Sequence, residues 1–394
     1  MRAGGRVRVA MVHGPGRPDH DGVSDYVQHL ITALADVDVQ VEPVPVRPTE
    51  QESGQWLPAT RRAADTVRRL HPDLVHVQYA PSAYRFSAVP GLLPVLLPGC
   101  IPLITTVHEY GPWAAPRWVP ESCWRPLEWV RLWDRGTGRL VPASATVLVS
   151  NPEHAAQVWV RTGRRTTEVP IASNVEEHPA APDARPAVRR RLGLAPDARL
   201  LAFFGFVHPV KGLRYVIEAL PALRAACPDL HLLVVGGFTS QALPEPQARA
   251  YRRDLDSLVR QHHVTKVVTF TGHLPAPEVS EALHAADAAV LPFTSGVTTR
   301  SGAVLAALAH GVPTAVTAAD DPDPRLRDGD TVAVIPERRD ASAVARTVER
   351  LLADPDLRLR LAAGGRRLAA RYTWQRVATA HRSVYDGVLR ADHG

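Results

Sequence analysis

Between Ser295 and Thr314 the chain reads SGVTTRSGAVLAALAHGVPT, with Thr298, Thr299, Arg300, Ser301 and Gly302 crowded at the mouth of a helical pattern. The first N–H groups of a helix have no partner inside it, and the helix dipole adds positive potential there, so such a turn is an anion site. A guanidinium in the turn adds a two-pronged contact to phosphate, and a glycine lets the backbone approach closely. The helix itself, AVLAALA, packs small residues against a sheet, and Gly311 is its expected stop. No acidic residue occurs anywhere in the segment.

A second turn of the same kind lies in FGFVHPVKGLRYVIEA (204–219), where a strand pattern ends at Gly205 and Phe206 and a helix opens beyond His208 and Lys211. Lysine occurs only at Lys211 and Lys266, so a compact ammonium here stands out against a background of arginine and suits a diphosphate. The competing reading is a surface lysine beside a helix start.

The elements that must position these groups alternate. VRVAMVH (7–13), VQVEPVPV, DLVHVQY, IPLITTVHEY and ATVLVSN read as strands separated by helical patterns. The pattern restarts after a Pro/Ala-rich stretch (175–200), read as a linker, and runs through LLAFFGFV, LHLLVVGG, KVVTFTGHL, AAVLPF and VPTAVT. Strand–helix alternation implies parallel sheets covered on both faces, here two doubly wound α/β units that would face a cleft at their strand ends. The predicted domains are 1–190, 191–373 and a closing helix in 374–394 with apolar spacing at Val377, Val384 and Val388.

With 394 residues, 45% of them hydrophobic and 22% charged, the chain is long enough for two cores. The net charge of +6 is dispersed, which reads as solvated surface and excludes a nucleic-acid footprint. Cys100, Cys123 and Cys227 have no zinc or disulfide spacing, no apolar run is long enough to span a bilayer, and the N-terminal residues read as a strand, so a cytoplasmic protein without membrane association is expected. TRRAADTVRRLHPD (60–73) reads as an amphipathic helix with a solvated basic face. GPG (14–16) is not a dinucleotide fingerprint, and DPD (321–323) reads as a surface loop and not a metal site.

FGFVHPVKG, LLVVGG, FTGHLPAPEVSEALHAADAAVLPF, LAALAHGVPTAVT and YTWQRVA, together with GVSDYVQHL, LVHVQY and TTVHEYG near the N-terminus, resemble in order and spacing the family 4 glycosyltransferases of GT-B fold. The resemblance spans nearly the whole chain. It implies a nucleoside-diphosphate sugar, UDP- or GDP-linked, held by the C-terminal domain, an acceptor held by the N-terminal domain, and transfer with retention at the anomeric carbon without a required metal or other cofactor. Lys211 matches the diphosphate lysine and His108 the histidine near the donor sugar. Asp21 and Gly22 fall in the glycine-rich loop that approaches the diphosphate, and His273 and Leu274 fall where backbone groups hold the base. The closing helix would cross back to the first domain.

Two departures stand out. Phe206 occupies the position of the family's arginine, and Thr298 and Ala306 occupy those of two glutamates that grip the donor sugar and the ribose. Arg300 is the candidate replacement for the missing arginine, so His108, Lys211 and Arg300 form the candidate catalytic set. Trp113, Trp118, Trp129 and Trp133 follow His108 closely and are candidates for an acceptor rim, Trp129 and Trp133 sharing a face if the segment is helical. The acceptor expected is a small molecule of bacterial specialised, antibiotic-type metabolism. The alternatives are an epimerase or hydrolase of the same fold and a silent nucleotide-sugar-binding partner.

Overall fold

The computed structural model describes residues 6–16, 22–50, 55–111, 120–177, 184–238, 243 and 245–392. The chain divides into two compact units, one of residues 1–171 with 374–394, the other of residues 172–373.

The first unit holds a parallel sheet of six strands: β1 (Val7–His13), β2 (Val39–Pro45), β3 (Leu74–Tyr79), β4 (Leu103–Val107), β5 (Thr146–Val149) and β6 (Thr166–Glu168), in the order β2-β1-β3-β4-β5-β6. β3 and β4 are buried at every residue, as central strands covered on both faces must be. Ala59, Ala63, Ala64 and Val67 of the helix Trp56–Leu70 pack on Val75 and Val77, while Arg61, Arg62, Arg68 and Arg69 face outward. The basic stretch is thus the solvated side of an amphipathic helix. The last helix, Trp374–Asp392, belongs to this unit: Trp374 stacks on His29 at 5.3 Å between ring centres, and Arg382 Nη1 donates to the carbonyls of Val37 and Asp38 at 2.9 Å.

The second unit holds β7 (Leu200–Phe204), β8 (His231–Val235), β9 (Val268–Gly272), β10 (Ala288–Leu291), β11 (Thr314–Thr317) and β12 (Ala333–Ile335), all parallel, in the order β12-β11-β10-β7-β8-β9. The order reverses between β7 and β10. In sheets of this kind ligands bind at the carboxyl ends of the strands flanking that reversal.

The boundary expected at residue 190 and the linker expected over 175–200 both need correction. Residues 172–190 belong to the second unit, and Ala184–Arg191 is a helix. Val188 enters the core, and the guanidinium of Arg189 is fully buried, donating to the Ala285 and Ala198 carbonyls and to Asp287 Oδ2 at 2.8 Å. Asp287 also receives Arg185, Arg199 and the N–H of Leu200. The prolines of this stretch hid a helix whose anchor is a buried ion pair.

Candidate active site

The two anion turns read from the sequence meet at the β7/β10 reversal. Beyond β7 the chain turns through Gly205, whose φ of +122° is a left-handed conformation open to glycine. A Cβ on Gly236, after β8, would lie 2.0 Å from the Gly205 carbonyl oxygen, so these strand ends approach backbone to backbone. Val207 N–H donates to the Gly237 carbonyl at 2.8 Å, and Phe206 is partly exposed between them.

His208 caps the turn that follows: its Nδ1 accepts the Val210 N–H at 3.2 Å and its carbonyl accepts the Lys211 N–H at 2.8 Å. Gly212, at φ +72°, closes the turn against Pro292, whose oxygen would be 2.0 Å from any added Cβ. Thr294 N–H donates to the Val210 carbonyl at 2.9 Å, tying the turn to the end of β10. As a result the Lys211 ammonium sits 3.8 Å above the centre of the Phe293 ring. It forms no ion pair with a carboxylate among the described residues, and burial lowers its pKa to about 8. The ring's electron-rich face offsets only part of the lost hydration.

The second turn is anchored from an unexpected side. Thr299 is 3% exposed, and both its N–H and its hydroxyl donate to Asp323 Oδ2 at 2.8 Å, while Tyr372 Oη donates to its hydroxyl at 3.3 Å. Thr299 therefore points into the protein, which corrects its reading as a donor contact. Burial would raise the Asp323 pKa, but the hydrogen bonds from Arg325 and Thr299 outweigh it and bring the pKa to about 2. Asp323, the last residue of DPD (321–323), is thus a buried anchor, which corrects its reading as part of a surface loop. Thr298 Oγ1 accepts from Arg300 Nε at 3.1 Å, and Ser301 caps the helix Gly302–Ala309 by accepting the Val304 N–H at 3.4 Å. The N–H groups of Gly302 and Ala303 have no acceptor among the described residues. Ala303 Cβ lies 3.5 Å from where a Gly205 Cβ would be, which brings this helix start to the end of β7. Ala306 is fully buried in the core between sheet and helix.

His273 follows Gly272 at the end of β9 and is exposed, its Cβ 3.6 Å from where a Gly237 Cβ would be, and Leu274 packs on the core. The structure therefore assembles Gly205, Phe206, His208, Lys211, His273, Arg300, Ser301 and Gly302 at the carboxyl ends of β7, β8, β9 and β10.

In the first unit His108 follows β4. Its Nε2 lies 2.8 Å from Gln78 Oε1, its ring meets the Tyr26 ring edge-on at 5.0 Å, and burial, reinforced by His381 and His154, lowers its pKa to about 3. Gly22 is the first residue of the helix Gly22–Ala35. Trp129 ends the helix Glu121–Trp129 with 86% of its surface exposed, and Arg131 at φ +58° turns the chain away. Trp133 therefore lies outside the helix, which corrects the expected shared face, and its Nε1 is buried without a hydrogen-bond partner among the described residues. Asp21, Trp113 and Trp118 lie outside the described residues. Phe293, Asp323, Tyr372 and Gln78 lie in motifs read from the sequence, but nothing local to them announced these contacts.

Two parallel six-stranded α/β units, one carrying a lysine and a helix start at its strand-order reversal, are the architecture of the GT-B fold. Residues 1–170 match the family described as Glycosyltransferase Family 4, and residues 198–354 match Glycosyl transferases group 1. The chain belongs to these family 4, group 1 glycosyltransferases. It is 31% identical over 64% of its length to a D-inositol 3-phosphate glycosyltransferase of Stackebrandtia nassauensis, the match spanning 56% of that relative. A protein of the same description from Streptomyces bingchenggensis is 26% identical over 98% of this chain and 88% of its own length. The sucrose-phosphate synthase of Thermosynechococcus elongatus shares the fold with a TM-score of 0.74 at 20% identity, over 98% of this chain and all of that one. No helix of the described residues is long and apolar enough to cross a membrane.

Proposed function

We propose that the protein moves a sugar from a UDP- or GDP-linked donor to a small hydroxylated acceptor, with retention at the anomeric carbon. The observation that carries this reading is Lys211: a desolvated ammonium with no carboxylate partner among the described residues, held at the strand-order reversal beside a helix start. Such a group takes a diphosphate. Arg300 and the N–H groups of Gly302 and Ala303 supply the remaining donors, so the charge developing on the departing diphosphate is met by preorganised protein groups without a metal ion. The bond from the anomeric carbon to the phosphate oxygen breaks as the bond to the acceptor oxygen forms on the same face. The acceptor's proton passes to the departing phosphate oxygen, and the sugar passes through an oxocarbenium-like state. His108 orients the sugar.

With Ala306 in the core, the ribose is held by other groups, and the base is placed against His273 and Leu274. Both relatives are described as D-inositol 3-phosphate glycosyltransferases, which supports a small polyol or cyclitol acceptor. The exposed Trp129, with Leu127, Val130 and Leu132 beside it, supports an aromatic rim for that acceptor. The reading places the enzyme in the cytoplasm, in bacterial specialised metabolism, and the three unpaired cysteines support a reducing compartment.

The test is incubation with UDP-, GDP- and dTDP-sugars, with and without inositol phosphates and other polyols. Nucleoside diphosphate should appear only with acceptor, and the product's anomeric configuration should match the donor's. A Lys211→Ala protein that binds and turns over the donor as well as the wild type would overturn the assignment.

A further inference from the structure

His108 stands at the end of a buried chain of polar side chains. Gln78 on β3 is fully buried, with its Oε1 2.8 Å from His108 Nε2. Its Nε2 faces Met11 Sδ at 4.0 Å and His76 Nε2 at 3.2 Å. His76, also fully buried, lies 2.7 Å from Thr106 Oγ1 through Nε2 and 2.7 Å from Tyr385 Oη through Nδ1. Tyr385 comes from the last helix, 309 residues further along the chain. A thioether sulfur only accepts hydrogen bonds, so the amide NH₂ belongs on the Met11 side and the amide oxygen on the His108 side. An amide oxygen in turn only accepts, so Nε2 of His108 carries the proton. Nδ1 is left as a lone pair with no hydrogen-bond partner among the described residues, on a side chain that is only partly buried.

We propose that Gln78 is a positioning residue that locks His108 as its Nε2–H tautomer, so that His108 presents an acceptor, Nδ1, to a hydroxyl of the bound sugar. His76 and Tyr385 hold Gln78 in turn, which makes the last helix part of the mechanism that sets the tautomer. A neutral imidazole of the other tautomer would present an N–H, and a sugar hydroxyl would have to turn its lone pair toward it. The low pKa of His108 keeps the ring neutral over the working range and leaves the tautomer as the variable that matters. The kinetic consequence rests on the function proposed above; the tautomer does not.

Two readouts separate these levels. Nitrogen–proton correlation spectra of protein carrying isotope-labelled histidine, with His108 assigned by His108→Gln, report the tautomer directly. Wild-type His108 should carry its proton on Nε2, and finding it on Nδ1 overturns the proposal without touching the transferase reading. Gln78→Met, close in size and apolar, should give a mixture of tautomers, as should Gln78→Leu if the first proves unstable; an unchanged pure Nε2–H signal in a folded variant also overturns it. In donor-dependent turnover, the same variant should lose kcat on the order of 10- to 100-fold with KM for the donor unchanged. A shifted tautomer with unchanged kcat would keep the structural relation and remove its role in catalysis.

Discussion

Asp323 receives the backbone N–H and the hydroxyl of Thr299 on one oxygen, each at 2.8 Å, and so fixes the loop that leads to Arg300 and Ser301. This buried carboxylate shapes the anion turn from behind. Asp323→Ala leaves the Thr299 N–H and hydroxyl without their acceptor and should cost about 2–4 kcal/mol of stability, measured by denaturant unfolding. Donor affinity should fall with it, because Arg300 loses its fixed position.

The same carboxylate gives the second unit an acid limit. Its folded pKa of about 2 lies below its ordinary value, so its stabilising contribution is present above the unfolded pKa near 4 and is lost as pH falls toward 2. Unfolding curves of wild type and Asp323→Asn should converge over that interval, the variant lacking about 2 kcal/mol of pH-dependent stability.

Lys211 should make nucleotide binding pH-dependent at the alkaline side. The free ammonium titrates near pH 8, and a bound diphosphate favours its charged form. Affinity for UDP or GDP, by calorimetry, should therefore be constant below pH 8 and weaken above it by up to about tenfold per pH unit. Lys211→Met should abolish that dependence and lower kcat/KM roughly 10²- to 10³-fold.

The first unit should be acid-sensitive through its buried histidines. Burial, reinforced by repulsion from neighbouring histidines, holds His76 well below its ordinary pKa and brings His108 to about 3, and burial alone brings His381 to about 4. The unfolded chain therefore takes up protons that the folded chain refuses, and stability is full above pH 6.5 and declines below it. Each histidine adds a slope of up to about 1.4 kcal/mol per pH unit. His381 Nε2 is buried without a hydrogen-bond partner among the described residues, so His381→Leu or →Phe should flatten the slope of the melting temperature between pH 6.5 and 4.5.

Gly212→Ala should damage the site without touching a charged group. Its Cβ would meet the Pro292 oxygen at 2.0 Å in a backbone conformation with φ +72°, so the turn carrying Lys211 must move. The expected cost is about 2–4 kcal/mol, with donor affinity lost in parallel. Asp287→Ala is the contrast: it strands the buried Arg189 and should cost a similar 3–5 kcal/mol with donor affinity retained in the folded fraction.

Strand and helix alternation, the two turns at Lys211 and at Arg300–Gly302, and the order of motifs were all legible, because apolar periodicity and turn chemistry are local properties of a chain. β6 and β12, three residues each, were too short to leave a period, and the helix Ala184–Arg191 was hidden by Pro186 and the prolines that precede it. The burial of Thr299 toward Asp323, the aromatic floor that Phe293 gives Lys211, and the line from Tyr385 through His76 and Gln78 to His108 were decided only by the tertiary structure. A hydrogen bond needs its partners within about 3 Å. Which residues meet at that range follows from strand order and from where the last helix docks, not from any spacing along the sequence.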